Sequence, residues 1–265
     1  TGGRPLPKVS LPLGRTLVAA GRGDEALVVL AGLLREKNLD DAAAAEARLL
    51  LARARVLRGE TPDARAELER LLAMPNVAET RFGPEGQYLL GDVILGLGGG
   101  PERLKEAIAA WRRYLELYPD QKAASDVRSR IALAFFEGGL PDEAIPAFQA
   151  LADDTKAEKS TRARALFGIG ESLRRLRRHD EARDALRRFL AAYPDDARAP
   201  EAQALLPALL LEKAQIQREA KDEPGAIETY RRFVEEFPTS SDAPPISVEI
   251  GRMLRALKKV DDAVV

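Results

Sequence analysis

One amphipathic segment recurs along this chain, and that recurrence restricts the fold more than any other feature. Its clearest copy runs from Arg178 to Pro194: a polar start, Ala182, then Leu186 and Phe189 at helical spacing, then Tyr193-Pro194 as a stop. Variants align on Ala26, Ala64, Ala107, Ala144, Ala182, Ala226 and Ala263, at intervals of 38, 43, 37, 38, 44 and 37 residues. A period in this range marks stacked helical repeats, each of which buries its apolar face only against its neighbours. One continuous array therefore accounts for 265 residues better than two separate globular domains.

The unit is helix, tight turn, helix. Residues 1–12 are rich in proline and predict an extended N-terminal segment; the array is expected over 13–265, as six full repeats and a truncated seventh. Expected first helices include Arg48 to Leu57, Gln87 to Leu95 and Pro200 to Ala220, with Pro207 placed to kink the last; Asp24 is expected to cap the second helix of the first unit. Twelve residues before the aligned alanine stands a small residue: Gly14, Ala52, Ala132, Gly170, Ala214 and Gly251. In the third unit Gly91 lies sixteen before Ala107, which fits a four-residue insertion in the turn Gly96 to Pro101. Large apolar residues follow the alanine by four (Leu30, Leu68, Trp111, Phe148, Leu186, Tyr230) and by seven (Leu33, Leu71, Tyr114, Leu151, Phe189, Phe233). These spacings share one helix face. The small residue and the alanine are expected to bring two helices close, with the large residues filling the space beyond them.

Several function classes are excluded or weakened at once. The chain has no cysteine, so disulfides, thiolate metal sites and a cysteine nucleophile are ruled out. Its net charge is −1, so no global field draws it to nucleic acid or an anionic membrane. No apolar run approaches the ~18 residues of a membrane span. The chain opens on Thr1-Gly2-Gly3 and stops inside the second helix of a repeat, which predicts a segment of a longer protein.

Gly170, Ala182, Leu186, Phe189 and Pro194, at their spacing, resemble a tetratricopeptide repeat, and the likeness covers nearly the whole chain. The intervals exceed the family's usual period of about 34 residues. The closing turns Tyr118-Pro119-Asp120, Tyr193-Pro194-Asp195-Asp196 and Phe237-Pro238-Thr239 are similar to a bacterial subtype of cell-envelope proteins, such as the Tol-Pal coordinator and the barrel-assembly lipoprotein. The resemblance implies an all-α, right-handed α-solenoid of helix-turn-helix repeats and favours the periplasm or cell envelope over the cytoplasm. It also implies a concave groove lined by the first helices, at positions three before, one after and four after the small residue. Those are Leu49, Arg53 and Val56; Tyr88, Asp92 and Leu95; Ser129, Leu133 and Phe136; Phe167, Glu171 and Arg174; Leu211, Gln215 and Arg218; with Arg252 further on. Apolar anchors with arginines toward the C-terminal half suit a protein or peptide partner that carries acidic residues.

Catalysis finds little support. His179 is the one imidazole and reads as an exposed turn residue beside Asp180; no serine or threonine stands at triad spacing. Gly96 to Pro101 lacks the Gly-Lys-Ser/Thr of a phosphate loop and reads as a turn. No carboxylate cluster suggests a metal, and no cofactor is expected. The arginines between Arg162 and Arg188 outnumber neighbouring acids, yet such runs are normally solvated faces with internal ion pairs, so nucleic acid is not the expected ligand. The expectation is a non-catalytic protein-interaction scaffold. Self-association, a spacer role, or a regulatory segment serving an enzyme elsewhere in a longer chain are the alternatives.

Overall fold

The computed structural model describes residues 7–263, with side-chain surroundings for 9–258. Among the described residues there are thirteen α-helices, one 3-10 turn at Val77–Glu79, and no strand. The chain divides after Gly138 into two compact units. The first holds α1 (Pro7–Ala19), α2 (Gly23–Leu33), α3 (Asp41–Leu57), α4 (Thr61–Leu72), α5 (Phe82–Gly96), α6 (Gly100–Leu117) and α7 (Ala124–Glu137). The second holds α8 (Pro141–Asp153), α9 (Lys159–Arg175), α10 (His179–Ala192), α11 (Ala199–Glu219), α12 (Glu223–Glu236) and α13 (Ala243–Ala263). Within each unit every helix packs on the next, and in the first unit α3 also touches α1 and α5, the flanking first helices.

Local chemistry places the boundaries. Proline occupies the first turn of α4, α6, α8, α11 and α12, where its missing N–H costs nothing. Asp40 accepts from the Ala43 N–H at 2.7 Å and Asp222 from the Gly225 N–H at 3.0 Å, capping α3 and α12. Seven residues after each small residue the backbone turns left-handed, at Gly21, Gly59, Gly98, Gly139, Arg177 and Lys221. Arg177 and Lys221, at φ 58° and 60°, show that this turn is imposed by the repeat geometry even where no glycine relieves it.

The aligned alanines from Ala26 through Ala226 are all completely buried, and the two large residues that follow each of them are buried too. A Cβ at Gly170 would lie 2.7 Å from Leu186 Cδ2, one at Gly14 would lie 3.0 Å from Leu30 Cγ, and one at Gly91 would lie 2.6 Å from Trp111 Cε2. In each case the neighbour is the residue four after the alanine. Gly91 thus occupies the same register as Gly14 and Gly170, but the four extra residues are not in the turn: α6 begins nine residues after Gly91, as α2 begins nine after Gly14 and α10 nine after Gly170, so the insertion adds one helical turn to the start of α6.

The structure corrects several boundaries. Residues 7–12 are helical, not extended, and α1 runs through Pro12 because Leu11 packs on the cluster of Leu17, Ala26 and Leu30; residues 1–6 of that expected segment lie outside the described residues. Helices α3 and α5 begin earlier than Arg48 and Gln87. Asp40 caps the first, and Phe82 is buried at the start of the second despite Gly83, Pro84 and Gly86. Asp24 lies inside the first turn of α2 and makes no cap bond there. Helix α11 continues through Pro207 as a single element of 21 residues.

Candidate functional site

The first helices of the first unit carry a cavity of about 640 Å³. Arg53 of α3 and Pro84, Glu85, Tyr88 and Leu89 of α5 form one side; Tyr114, Tyr118, Gln121 and Lys122 close the other. Its size falls in the usual range for ligand sites, about 300–1,000 Å³. The aromatic wall follows from the repeat: the closing tyrosine, eleven after the alanine, packs edge-on against the residue seven after it, with Tyr114 and Tyr118 centroids 5.3 Å apart. Tyr88 meets Tyr114 edge-on at 6.3 Å. The Tyr118 hydroxyl is buried with no hydrogen-bond partner, next to the space that a Cβ at Gly83 would fill.

Around Tyr88 the polar groups interlock. Its hydroxyl donates to Asp126 and accepts from Arg130 Nε, and the Arg130 guanidinium lies 4.8 Å from its ring centroid. Arg130 also donates to Asp92 at 2.8 Å. Burial, with the Asp126 carboxylate beside it, pushes the Tyr88 phenol up to about 12. Burial likewise raises the Asp92 carboxyl, against the pull of Arg130.

The groove residues expected from sequence divide into three groups. Arg53 and Tyr88 line the cavity, and Asp92 holds Arg130 beside it. Leu49 and Ser129 are buried; Leu49 belongs to the core with Ala45, Ala52 and Leu68, so both serve packing and offer nothing to a partner. Phe167 stacks edge-on against Phe189 at 5.6 Å and Leu211 packs against the Ala214–Ile227 core, so both are half spent on the interior. Phe136 is half-buried. In the second unit Glu171, Arg174, Gln215, Arg218 and Arg252 stay partly or fully accessible, but Arg174 pairs with Glu171 at 3.1 Å and Glu212 at 3.6 Å. Arg218 pairs with Glu249 at 3.1 Å, Arg252 with Glu249 at 3.6 Å, and Gln215 with Glu219 at 3.0 Å.

Within the arginine-rich face between Arg162 and Arg188, Arg178 pairs with Glu181, and Arg183 and Arg187 both pair with Glu236. Arg183 departs from a solvated face. It is 1% exposed, and its Nε and Nη1 have no partner. His179 is also corrected. It is buried as the first residue of α10, its Nε2 lies 3.6 Å from Glu212, and burial holds its pKa below the usual imidazole value. Among the described residues no group of acids and histidine is arranged to hold a metal, and no helix is long and apolar enough to cross a membrane.

Comparison with known proteins agrees with this architecture. The tetratricopeptide repeat profile matches residues 11–84, 49–122, 100–158 and 129–197, and a second profile of the same description matches 208–240. No curated protein sequence matches the chain. Among solved structures, MamA is similar at 20% identity, covering 72% of this chain and 94% of its own, with a TM-score of 0.56. YrrB, described as a TPR protein with an unusual peptide-binding site, is similar at 20% identity, covering 74% and 90%, with a TM-score of 0.53. The nearly identical TPR-like repeats of a Podosopora anserina putative kinesin light chain are similar at 15% identity, covering 72% and 96%, with a TM-score of 0.55. At these identities the likeness is one of fold.

Proposed function

Since the chain belongs to the tetratricopeptide repeat family, whose members are generally non-catalytic scaffolds, we propose that it binds a peptide or protein segment at the first-helix wall of its first unit. The observation that carries this reading is the cavity walled by Tyr88, Tyr114 and Tyr118 between α3, α5 and the turn after α6. Tyr88, half-buried, supplies contact area at low entropic cost, and the buried Tyr114 and Tyr118 back it from behind. Helices α3, α5 and α6 supply part of its lining, and the segments 78–81 and 118–123 supply the rest. YrrB, with its described peptide-binding site, offers a precedent on the same fold.

The test is capture. Wild type, Arg53→Glu and Lys122→Glu serve as baits, since both positions are exposed rim residues whose change leaves the core intact. Circular dichroism melts confirm the fold of each bait. A partner recovered by wild type and lost by both variants supports the reading. Equal recovery by all three baits, or no partner for any, rejects it.

A further inference from the structure

Relative to the small residue of each repeat, the first helices carry a second pattern that the packing register does not require. Arg15, one after Gly14, pairs with Glu46, six before Ala52. Arg53, one after Ala52, pairs at 3.0 Å with Glu85, six before Gly91. The same two positions are joined in two successive repeats. Arg81 adds to Glu46 at 3.2 Å, and Arg130 takes Asp92 at 2.8 Å and Asp126 at 3.3 Å. In these ion pairs four arginines (Arg15, Arg53, Arg81, Arg130) answer four carboxylates (Glu46, Glu85, Asp92, Asp126).

The position four after the small residue behaves differently in the two units. In the second it is arginine, and each pairs with a glutamate two before the next small residue: Arg174 with Glu212, Arg218 with Glu249. In the first it is apolar: Val18, Val56, Leu95 and Phe136. Val56 is 41% and Leu95 39% exposed. They stand at equivalent positions of α3 and α5, which touch. Tyr88, Asp92 and Leu95 follow one another at helical spacing, so the row lies along the helix face that carries the cavity's Tyr88.

We propose that the segment bound at this wall is apolar and uncharged, docking along Val56 and Leu95 with its anchor in the tyrosine-walled cavity, and not the acidic peptide that a row of arginines suggests. This rests on the reading of the wall as a peptide site. An acidic partner would have to break arginine pairs already made and approach the four carboxylates those pairs neutralise. An uncharged apolar partner leaves the pairs intact and covers what is exposed.

The experiment selects phage-displayed random peptides on the immobilised protein, then measures the enriched peptides by fluorescence anisotropy. Enriched sequences are expected to carry aliphatic or aromatic residues without excess Asp or Glu, and to bind with less than about a threefold change between low salt and about 0.5 M salt. Val56→Ser with Leu95→Ser is expected to weaken binding about tenfold or more, from the apolar area lost. Val28→Ser, at a 76% exposed position on the second helix α2, is expected to leave it unchanged. Enrichment of acidic peptides whose binding falls with salt and ignores the Val56/Leu95 change would overturn the inference while keeping a peptide site at this wall. No enrichment at all, or binding that both Arg53→Glu and the Val56/Leu95 change leave untouched, would overturn both.

Discussion

Gly91→Ala is the most discriminating single perturbation of the repeat register. An added methyl would meet the indole of Trp111, 2.6 Å from Cε2, and Trp111 is itself 1% exposed. A ring so enclosed has no free rotamer to retreat into. Overpacking of this kind costs about 1–3 kcal/mol. Replacing a helical glycine with alanine returns about 1 kcal/mol, so the expected net loss is up to about 2 kcal/mol. For domains of this size 1 kcal/mol moves Tm by about 2–4 °C, so the expected fall is up to about 8 °C. Arrays of repeats need not melt in one step, so the signal must be local. Trp111 is the only tryptophan, and its emission during thermal melting reports on the first unit alone. Gly32→Ala supplies the control, because a Cβ there meets nothing within 4 Å and the substitution should hold or raise Tm. If Gly91→Ala melts at or above the Gly32→Ala protein with an unchanged emission maximum, the close approach of Gly91 to Trp111 is not part of what holds α5 to α6.

Two further outcomes are expected. Glu236 receives Arg183, Arg187 and Arg232, while buried Arg183 has only Glu236; Arg183→Met should therefore change stability by less than about 1 kcal/mol, whereas Glu236→Gln, which strands a buried cation, should cost about 3–5 kcal/mol in urea unfolding. The second concerns alkali: the folded chain keeps the Tyr88 phenol neutral to about 12 against 10.0 for the free side chain. Its stabilising contribution is thus complete below 10.0 and lost as pH climbs toward about 12, and the difference in phenolate absorbance between wild type and Tyr88→Phe should rise only near the upper value.

The sequence exposed the register because the small residue, the alanine and the large apolar residues pack together in successive repeats, although a Cβ at Gly251 would meet nothing within 4 Å. It also detected the four extra residues between Gly91 and Ala107, since Gly91 and Trp111 keep the relation of Gly170 to Leu186, but placed them in the turn, whereas they form one more helical turn at the start of α6, where Pro101 fits the first turn. The candidate site was less legible. Position within a repeat says which helix face a residue occupies, but Leu49 and Ser129 share the expected face and are buried by neighbouring helices. Arg183 looked like one more surface cation because its partner Glu236 is 53 residues away, beyond any local pattern. Tyr118 was legible as a turn and not as a cavity wall, since its neighbours Arg53 and Tyr88 come from two other helices. The arginine-glutamate pairs did leave a signal: the charges sit at fixed offsets from the small residues, and aligning charge as well as size would have revealed them.

Those pairs amount to a joining rule for the array. Two junctions of the first unit place the cation one after a small residue and the anion six before the next, and two of the second unit place them four after and two before. The repeat of Ala52, with Glu46 and Arg53, and the repeat of Ala214, with Glu212 and Arg218, carry both halves, so either one copied beside itself would find matching partners. A repeat moved into the other unit would meet a neighbour whose complementary charge stands at the wrong height. Growth by duplication is therefore tolerated locally, while shuffling across the two halves is penalised at every new seam.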